Sequence, residues 1–366
     1  MAASPNGKNV STHADHLSRL ASAPMKPPSA SLLLCCDWGT SAFRLQLVEA
    51  DTLKTRARTN EGEGILATFR AWTASGRPEP ERMAYYLAAI HNRIATFERQ
   101  VGFSLAGVPL VISGMASASV GMTNLPYAKL PLAVDGSDLK MVTRPASCEF
   151  EHPLVIISGA CTDNDVMRGE ETLLMGALAS HAPGEGEWLV ILPGTHSKHV
   201  SIRQGRVVNF ATYMTGEFFA LLSQQSILTQ TVEVGGGLEQ ADHADRFLGG
   251  VWDGTNGNLL HDCFSIRSRH LLKQTSKSAN YYRLSGLLMG AELKEIASHK
   301  PAGIMLVSGA VLRPFYNAAI RALTPTTRVL SCGAEEALLH GQRAIALRAG
   351  LLTARAERSR APAHTE

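Results

Sequence analysis

SLLLCCDWGTSAFRLQLVEAD, residues 31–51, opens with an apolar run, breaks at Asp37-Trp38-Gly39-Thr40-Ser41, and resumes with alternating apolar residues from Phe43 to Val48. An apolar run, a cluster of turn formers and a second alternating run read as strand, tight turn, strand. Residues 186–217, GEWLVILPGTHSKHVSIRQGRVVNFATYMTGE, repeat the theme as three strands joined by two glycine turns. The first of those turns again carries Gly, Thr and Ser.

After each hairpin, strands alternate with helices. VPLVISGM (108–115), LVIISGA (154–160) and GIMLVSGA (303–310) read as buried strands entering glycine turns. Residues 79–100 and GEETLLMGALAS (169–180) read as helices, the second with two acids in its first turn. Two similar α/β lobes with a cleft between them account for this pattern. The boundary falls near residue 186, where PGEGE interrupts it. The expected division is a tail at 1–30, an N-terminal lobe at 31–185, a C-terminal lobe at 186–350 and a second tail at 351–366. Residues 231–283 are the least readable. VEVGGGLEQ looks like a phosphate loop without the GKS/T ending, or like a loop before a helix, which is the expectation.

Composition narrows the class. The 366 residues suit two lobes better than one core. With 45% hydrophobic and 18% charged residues and a net charge of +3, the chain is an ordinary globular enzyme without a nucleic-acid footprint. No apolar run reaches the ~18 residues of a membrane span, and a cytoplasmic location is expected. The six cysteines include no CxxC pair and read as reduced thiols. Residues 1–30 are rich in Ser, Ala and Pro and have no apolar signal region. Their composition also suits an organelle transit peptide, but a disordered tail is the expectation.

Five constellations can carry chemistry. Asp37, Gly39, Thr40 and Ser41, with Arg44, suit a metal-phosphate turn: the glycine admits the backbone, the hydroxyls donate, and Asp37 can hold Mg²⁺. An ordinary hairpin turn uses the same residues. Gly194, Thr195, Ser197 and Lys198 mirror them at the second hairpin, where Lys198 is either a phosphate ligand or a solvated turn lysine. In Arg168-Gly169-Glu170-Glu171, a carboxylate at a helix start can act as general base, although first-turn acids also serve the helix dipole. Adjacent helical positions diverge by ~100°, so one glutamate of the pair should face the cleft and the other should cap or pair, with Arg168 as one partner. Asp165 is a further candidate base. Ser308 and Gly309 form a strand-to-helix turn that can lie against an adenine ring. Ser113, Gly114, Met115 and Ser117 end an apolar strand, where ligand loops sit in α/β folds; close packing explains small residues there equally well.

Together these motifs resemble the ribonuclease-H-like (actin/hexokinase-like) sugar kinases, and within them the 2-dehydro-3-deoxygalactonokinase family. The pattern runs in order through DWGTSAFR, SGMASASVGMTNLPYAKLP, NDVMRGEETLLMGA, LPGTHSKHV, FATYMTGEFFALL, LSGLLMGAE and the late SGA, over roughly residues 34–345. It departs from the family at SGMASASVGM, where Met122 stands in place of a common Trp. The resemblance implies ATP-dependent, Mg²⁺-assisted phosphorylation of the terminal 6-hydroxyl of 2-dehydro-3-deoxy-D-galactonate in galactonate catabolism. It implies Asp37, Gly39, Thr40, Ser41, Gly194, Thr195, Ser197 and Lys198 at phosphate and metal, and Glu170 or Glu171 as base. It further implies the Gly309 turn with helix 284–292 beside adenine, and Arg168 as a candidate cation for the substrate carboxylate. Two other readings stay open: a kinase for another sugar or sugar acid, and a non-catalytic ATP-binding switch. The acid before the second turn favours phosphotransfer, because a switch needs no base.

Overall fold

Seven residues, Leu32–Trp38, form strand β1, and nearly all are buried because the strand runs through the middle of a sheet. The structure, a computed structural model, describes residues 31–59, 62–181 and 183–353; the tail expected at 1–30 and most of that expected at 351–366 lie outside them. From β1 the chain continues through β2 (Phe43–Glu49), β3 (Thr55–Thr59), α1 (Ile65–Ala74), α2 (Arg82–Val101) and β4 (Leu110–Gly114). Next come β5 (Ala128–Lys129), β6 (Leu132–Ala133), β7 (Met141–Arg144), β8 (Leu154–Ile157), β9 (Ala160–Cys161), β10 (Val166–Met167) and α3 (Glu170–Ser180). The second half holds β11 (Glu187–Leu192), β12 (Ser197–Arg203), β13 (Arg206–Tyr213), α4 (Thr215–Gln225), α5 (Ala241–Asn256), α6 (Leu259–Lys273), α7 (Lys277–Leu293) and α8 (Ile296–His299). It ends with β14 (Gly303–Ser308), α9 (Arg313–Leu323), β15 (Arg328–Gly333) and α10 (Ala334–Arg348).

The expected repetition is present in the sheets. One has the order β3-β2-β1-β4-β8-β7, the other β15-β14-β11-β12-β13-β6. Without the edge strands β7 and β6, and with the second sheet read from its other end, both run third, second, first, fourth, fifth. In each, the first three strands are antiparallel and the last two join in parallel. Apart from β6, the strands of the second sheet start at Glu187. The fold is mixed α/β, with a third small sheet β10-β9-β5 beside the first.

The two halves are interleaved. Strand β6, from the first half, pairs antiparallel with β13 of the second. Helix α10, from the second half, returns to the first: Gln342 Nε2 donates to Cys36 O at 2.8 Å and Ser113 Oγ at 3.0 Å, and Arg343 Nε donates to Ala50 O at 2.6 Å. Helices α3 and α10 cross where Gly176 and Gly341 leave no room for side chains; a Cβ on Gly176 would fall 1.7 Å from Ala337 O. One apolar core therefore runs from Cys35 and Val111 of the first sheet, through Leu174 and Ile345 of these helices, to Val190 and Met305 of the second.

The stretch 231–283 is a loop, α5, α6 and the start of α7. Here α5 and α7 pack closely through Gly250, Gly254, Gly286 and Gly290, each backed by the opposing backbone. All six cysteines are free thiols, four of them buried. No described helix is long and apolar enough to cross a membrane.

Candidate active site

Both hairpin turns rest on the start of a helix. Gly39 O and Thr40 O accept the amides of Ile65 and Leu66 at the start of α1, at 3.0 and 3.3 Å. Thr195 O accepts the amide of Glu217 at the start of α4, at 3.0 Å. Helix starts carry unsatisfied amides, so each turn is fixed by its carbonyls and its outer side stays open. The fit is close in both: a Cβ on Gly64 would lie 2.4 Å from Thr40 O, and one on Gly216 would lie 2.5 Å from Gly194 O. Thr40, Ser41 and Thr195 are exposed, and nothing lies within 4 Å of where a Gly194 side chain would start. His196 pairs with Glu217 at 2.6 Å.

Between the turns a polar cluster gathers residues far apart in sequence. Asp37 is the last residue but one of β1, opposite Ser113 of β4, and a Cβ on the next residue, Gly114, would lie 3.2 Å from Asp37 Oδ1. Gly169, at φ 112°, faces Gly114 and immediately precedes α3. From there Glu170 reaches the second half, where its Oε1 lies 2.9 Å from Lys198 Nζ. Lys198 also donates to His196 O at 3.0 Å. Asp37 pairs with Arg44 at 2.8 Å. Burial pushes the Asp37 carboxyl above its usual range, Arg44 pulls it back, and the Glu170 charge pushes it up again.

The two adjacent glutamates separate, as helical geometry requires. Glu170 is half-buried and faces Lys198, and its Oε2 accepts the Arg168 amide at 3.0 Å. Glu171 is 3% exposed, and both its oxygens accept the Gly169 amide, at 2.7 and 2.9 Å. Burial, with the nearby Glu170 charge, raises its pKa to about 8. A carboxyl protonated at neutral pH brings no charge to the helix dipole.

Several expected residues are turned elsewhere. The Arg168 guanidinium pairs with neither glutamate. It donates to Ser117 O at 2.7 Å and Ser117 Oγ at 2.5 Å, and covers the Tyr127 ring at 4.2 Å. Arg168 and Ser117 thus brace the loop after β4, in which Met115 is half-buried. Ser113 is fully buried and holds Cys36 O and Gln342. Asp165 spends its oxygens on the amide and hydroxyl of Thr212, both at 2.7 Å, and on the Val166 amide. Ser197 turns inward to Tyr316 OH at 3.0 Å.

Asp37, Glu170 and Lys198 do not line the cavity at the Ser308-Gly309 turn. The turn lines this cavity, of about 540 Å³, with Arg313 of α9, Gly333 to Glu336 at the start of α10, and Thr52 and Thr55 of the first half. Helix 284–292 does not line this cavity; as part of α7 it is buried against α5.

Residues 37–345 match the model of the 2-keto-3-deoxy-galactonokinase family. The chain belongs to the 2-keto-3-deoxy-galactonokinase family. It is similar to a candidate 2-dehydro-3-deoxygalactonokinase of Rhizobium meliloti strain 1021, at 30% identity over 87% of this chain and 97% of that protein. It is also similar to the 2-dehydro-3-deoxygalactonokinase of Escherichia coli K12, at 33% identity over 79% of this chain and 89% of that one. Among solved structures, a candidate 2-dehydro-3-deoxygalactonokinase from Sinorhizobium meliloti superposes with a TM-score of 0.71 at 26% identity, covering 89% of this chain and 100% of that one.

In this galactonokinase-family chain, three groups missing from the expected site support it from behind. Gln342 ties the ends of β1 and β4 together, and Glu292 and Tyr316 lie beneath the second turn. Gln342 comes from a helix some 300 residues along the chain, and no local motif announces such a contact.

Proposed function

We propose that this chain transfers the γ-phosphoryl group of ATP to the terminal 6-hydroxyl of 2-dehydro-3-deoxy-D-galactonate, in the cytoplasm, as a step of galactonate catabolism. Family membership supports the reaction class. The observation that carries the site is Glu170, whose carboxylate pairs with Lys198 of the second turn and whose charge raises the pKa of Asp37 of the first. We read the duplicated sheets as the two lobes of an actin/hexokinase-like fold, 31–185 and 186–350, closing on a cleft that contains this cluster.

In this reading the exposed turns at Gly39–Ser41 and Gly194–Thr195 hold the phosphate chain with amides and hydroxyls. Lys198 leaves Glu170 for the transferring phosphoryl oxygens and offsets their charge. Glu170, released, accepts the proton of the 6-hydroxyl as that oxygen bonds to Pγ and the bond from Pγ to the bridging oxygen breaks, leaving ADP. The loop of Gly114, Met115 and Ser117, braced by Arg168, borders the sugar. The Ser308-Gly309 cavity accepts the nucleoside.

Asp37 suits Mg²⁺. It offers carboxylate oxygen, and no group of three acidic, His or Cys ligands exists among the described residues. A cation here would take its remaining ligands from phosphate and water, as Mg²⁺ does with nucleotides. When bound it supplies charge neutralisation on the phosphates.

A coupled ADP-release assay tests the reading. ADP should form with 2-dehydro-3-deoxy-D-galactonate well above the rate without sugar acid. Release driven better by another sugar acid would replace the substrate, and release indifferent to every sugar acid would remove the kinase reading.

A further inference from the structure

Lys198 is held by a chain of hydrogen bonds on the opposite face of its strand. Residues on a strand alternate between faces. On β12, Lys198 faces Glu170 of α3, while Ser197 and His199, its two neighbours, face α7 and α9. There, Ser197 Oγ lies 3.0 Å from Tyr316 OH, Tyr316 OH donates to Glu292 Oε2 at 2.8 Å, and His199 Nε2 donates to Glu292 Oε1 at 2.9 Å.

The donors fall into one order. Tyr316 spends its only proton on the carboxylate, so Ser197 donates to Tyr316. The Ser197 oxygen then accepts the Gly194 amide, 3.4 Å away. Starting at the glycine of the second turn, each group donates to the next until the chain ends on Glu292, which His199 meets from the other side. The four side chains are at most 7% exposed.

We infer that Glu292 and Tyr316 are positioning residues: they bracket the backbone at Lys198 and so aim its ammonium at the phosphate chain, an inference that rests on the kinase reading. A buried carboxylate is costly unless its partners satisfy it, and an apolar core of the same volume is often at least as stable. What the carboxylate adds here is direction, because it fixes both neighbours of one lysine. The bracket also spans the nucleotide. Tyr316 sits on α9 one turn after Arg313, which lines the Ser308-Gly309 cavity. The group that grips phosphate is therefore mechanically joined to the cavity read as the nucleoside site.

The test is calorimetric binding of ATP and of adenosine, with kcat in parallel, for wild type, Tyr316→Phe, Lys198→Ala and the double variant. Tyr316→Phe keeps the ring and removes the hydroxyl. It should leave adenosine affinity unchanged and lower both ATP affinity and kcat by about tenfold, the size expected when a charge-assisted hydrogen bond is lost. In the Lys198→Ala background it should have no further effect on either, because a bracket with nothing to aim has nothing to lose. An equal loss with and without Lys198, or an unchanged ratio of ATP to adenosine affinity, would overturn the inference. Should Tyr316→Phe fold poorly, Ser197→Ala removes the same leg with a smaller change and must show the same dependence on Lys198. A chain that shows this coupling in binding, yet transfers no phosphoryl group to any sugar acid, would cost the kinase reading and uphold the bracket.

Discussion

Glu170 and Glu171, adjacent in sequence, send their carboxylates to different partners: Glu170 to the Lys198 ammonium at 2.9 Å, Glu171 to the Gly169 amide at 2.7 Å. One helical step separates a residue that spans the two halves from one sealed within the first.

That division sets an unequal outcome for substitution. Glu170→Gln should lower kcat by at least about a hundredfold with ATP binding retained, the scale of lost base assistance. Asp165→Asn should keep kcat within about tenfold of wild type and lower the melting temperature, since its oxygens brace Thr212. Steady-state kinetics on both variants decide the matter; a normal kcat for Glu170→Gln would move the base elsewhere.

Glu171 predicts a pH signature in stability. Its folded pKa of about 8 lies above the ordinary 4.5. Between these values the folded state keeps a proton that the unfolded state has released, so wild-type stability declines as pH rises through that window. Glu171→Gln mimics the protonated form and removes this contribution. Denaturant melts should show the variant gaining on wild type from pH 5 to pH 8, and a constant difference would refute the assignment.

Asp37→Asn should reduce turnover by a hundredfold or more and raise the Mg²⁺ concentration needed for half activity, on the scale of lost electrostatic stabilisation. Its melting temperature should change little, because burial already disfavours the charged carboxyl that Arg44 supports. Mg²⁺ titrations of activity, paired with thermal melts, provide the check.

Gly176→Ala should destabilise by about 1–3 kcal/mol, the usual cost of overpacking, because its new methyl would meet the backbone of α10. Gly194→Ala, which meets no neighbour, should leave the melting temperature within a degree or two. Equal melting temperatures for the two variants would contradict the packing described.

Much of this architecture is legible in the sequence. Asp37 to Ser41 and Pro193 to Ser197 break apolar runs with residues that fit few structures other than tight turns, and the strands after them repeat in the same order. The direction of individual hydroxyls is harder to read. Ser113, Ser117 and Ser197 have the composition of ligand-binding residues, yet all three turn inward. For Ser197 a signal existed: on one strand it cannot share a face with Lys198. Strand β6, two residues long, has no period to detect. Helix α5 is hidden by the glycines that let it touch α7, since glycine lowers helix propensity.

The return of α10 to the first sheet bears on how the protein is made. Gln342 closes the ends of β1 and β4, and Ile345 lies in the core shared with the first sheet. On a ribosome, the opening hairpin emerges hundreds of residues before the helix that covers it. The first half must therefore wait, with apolar surface uncovered, until α10 has been made, and over that interval it is open to aggregation.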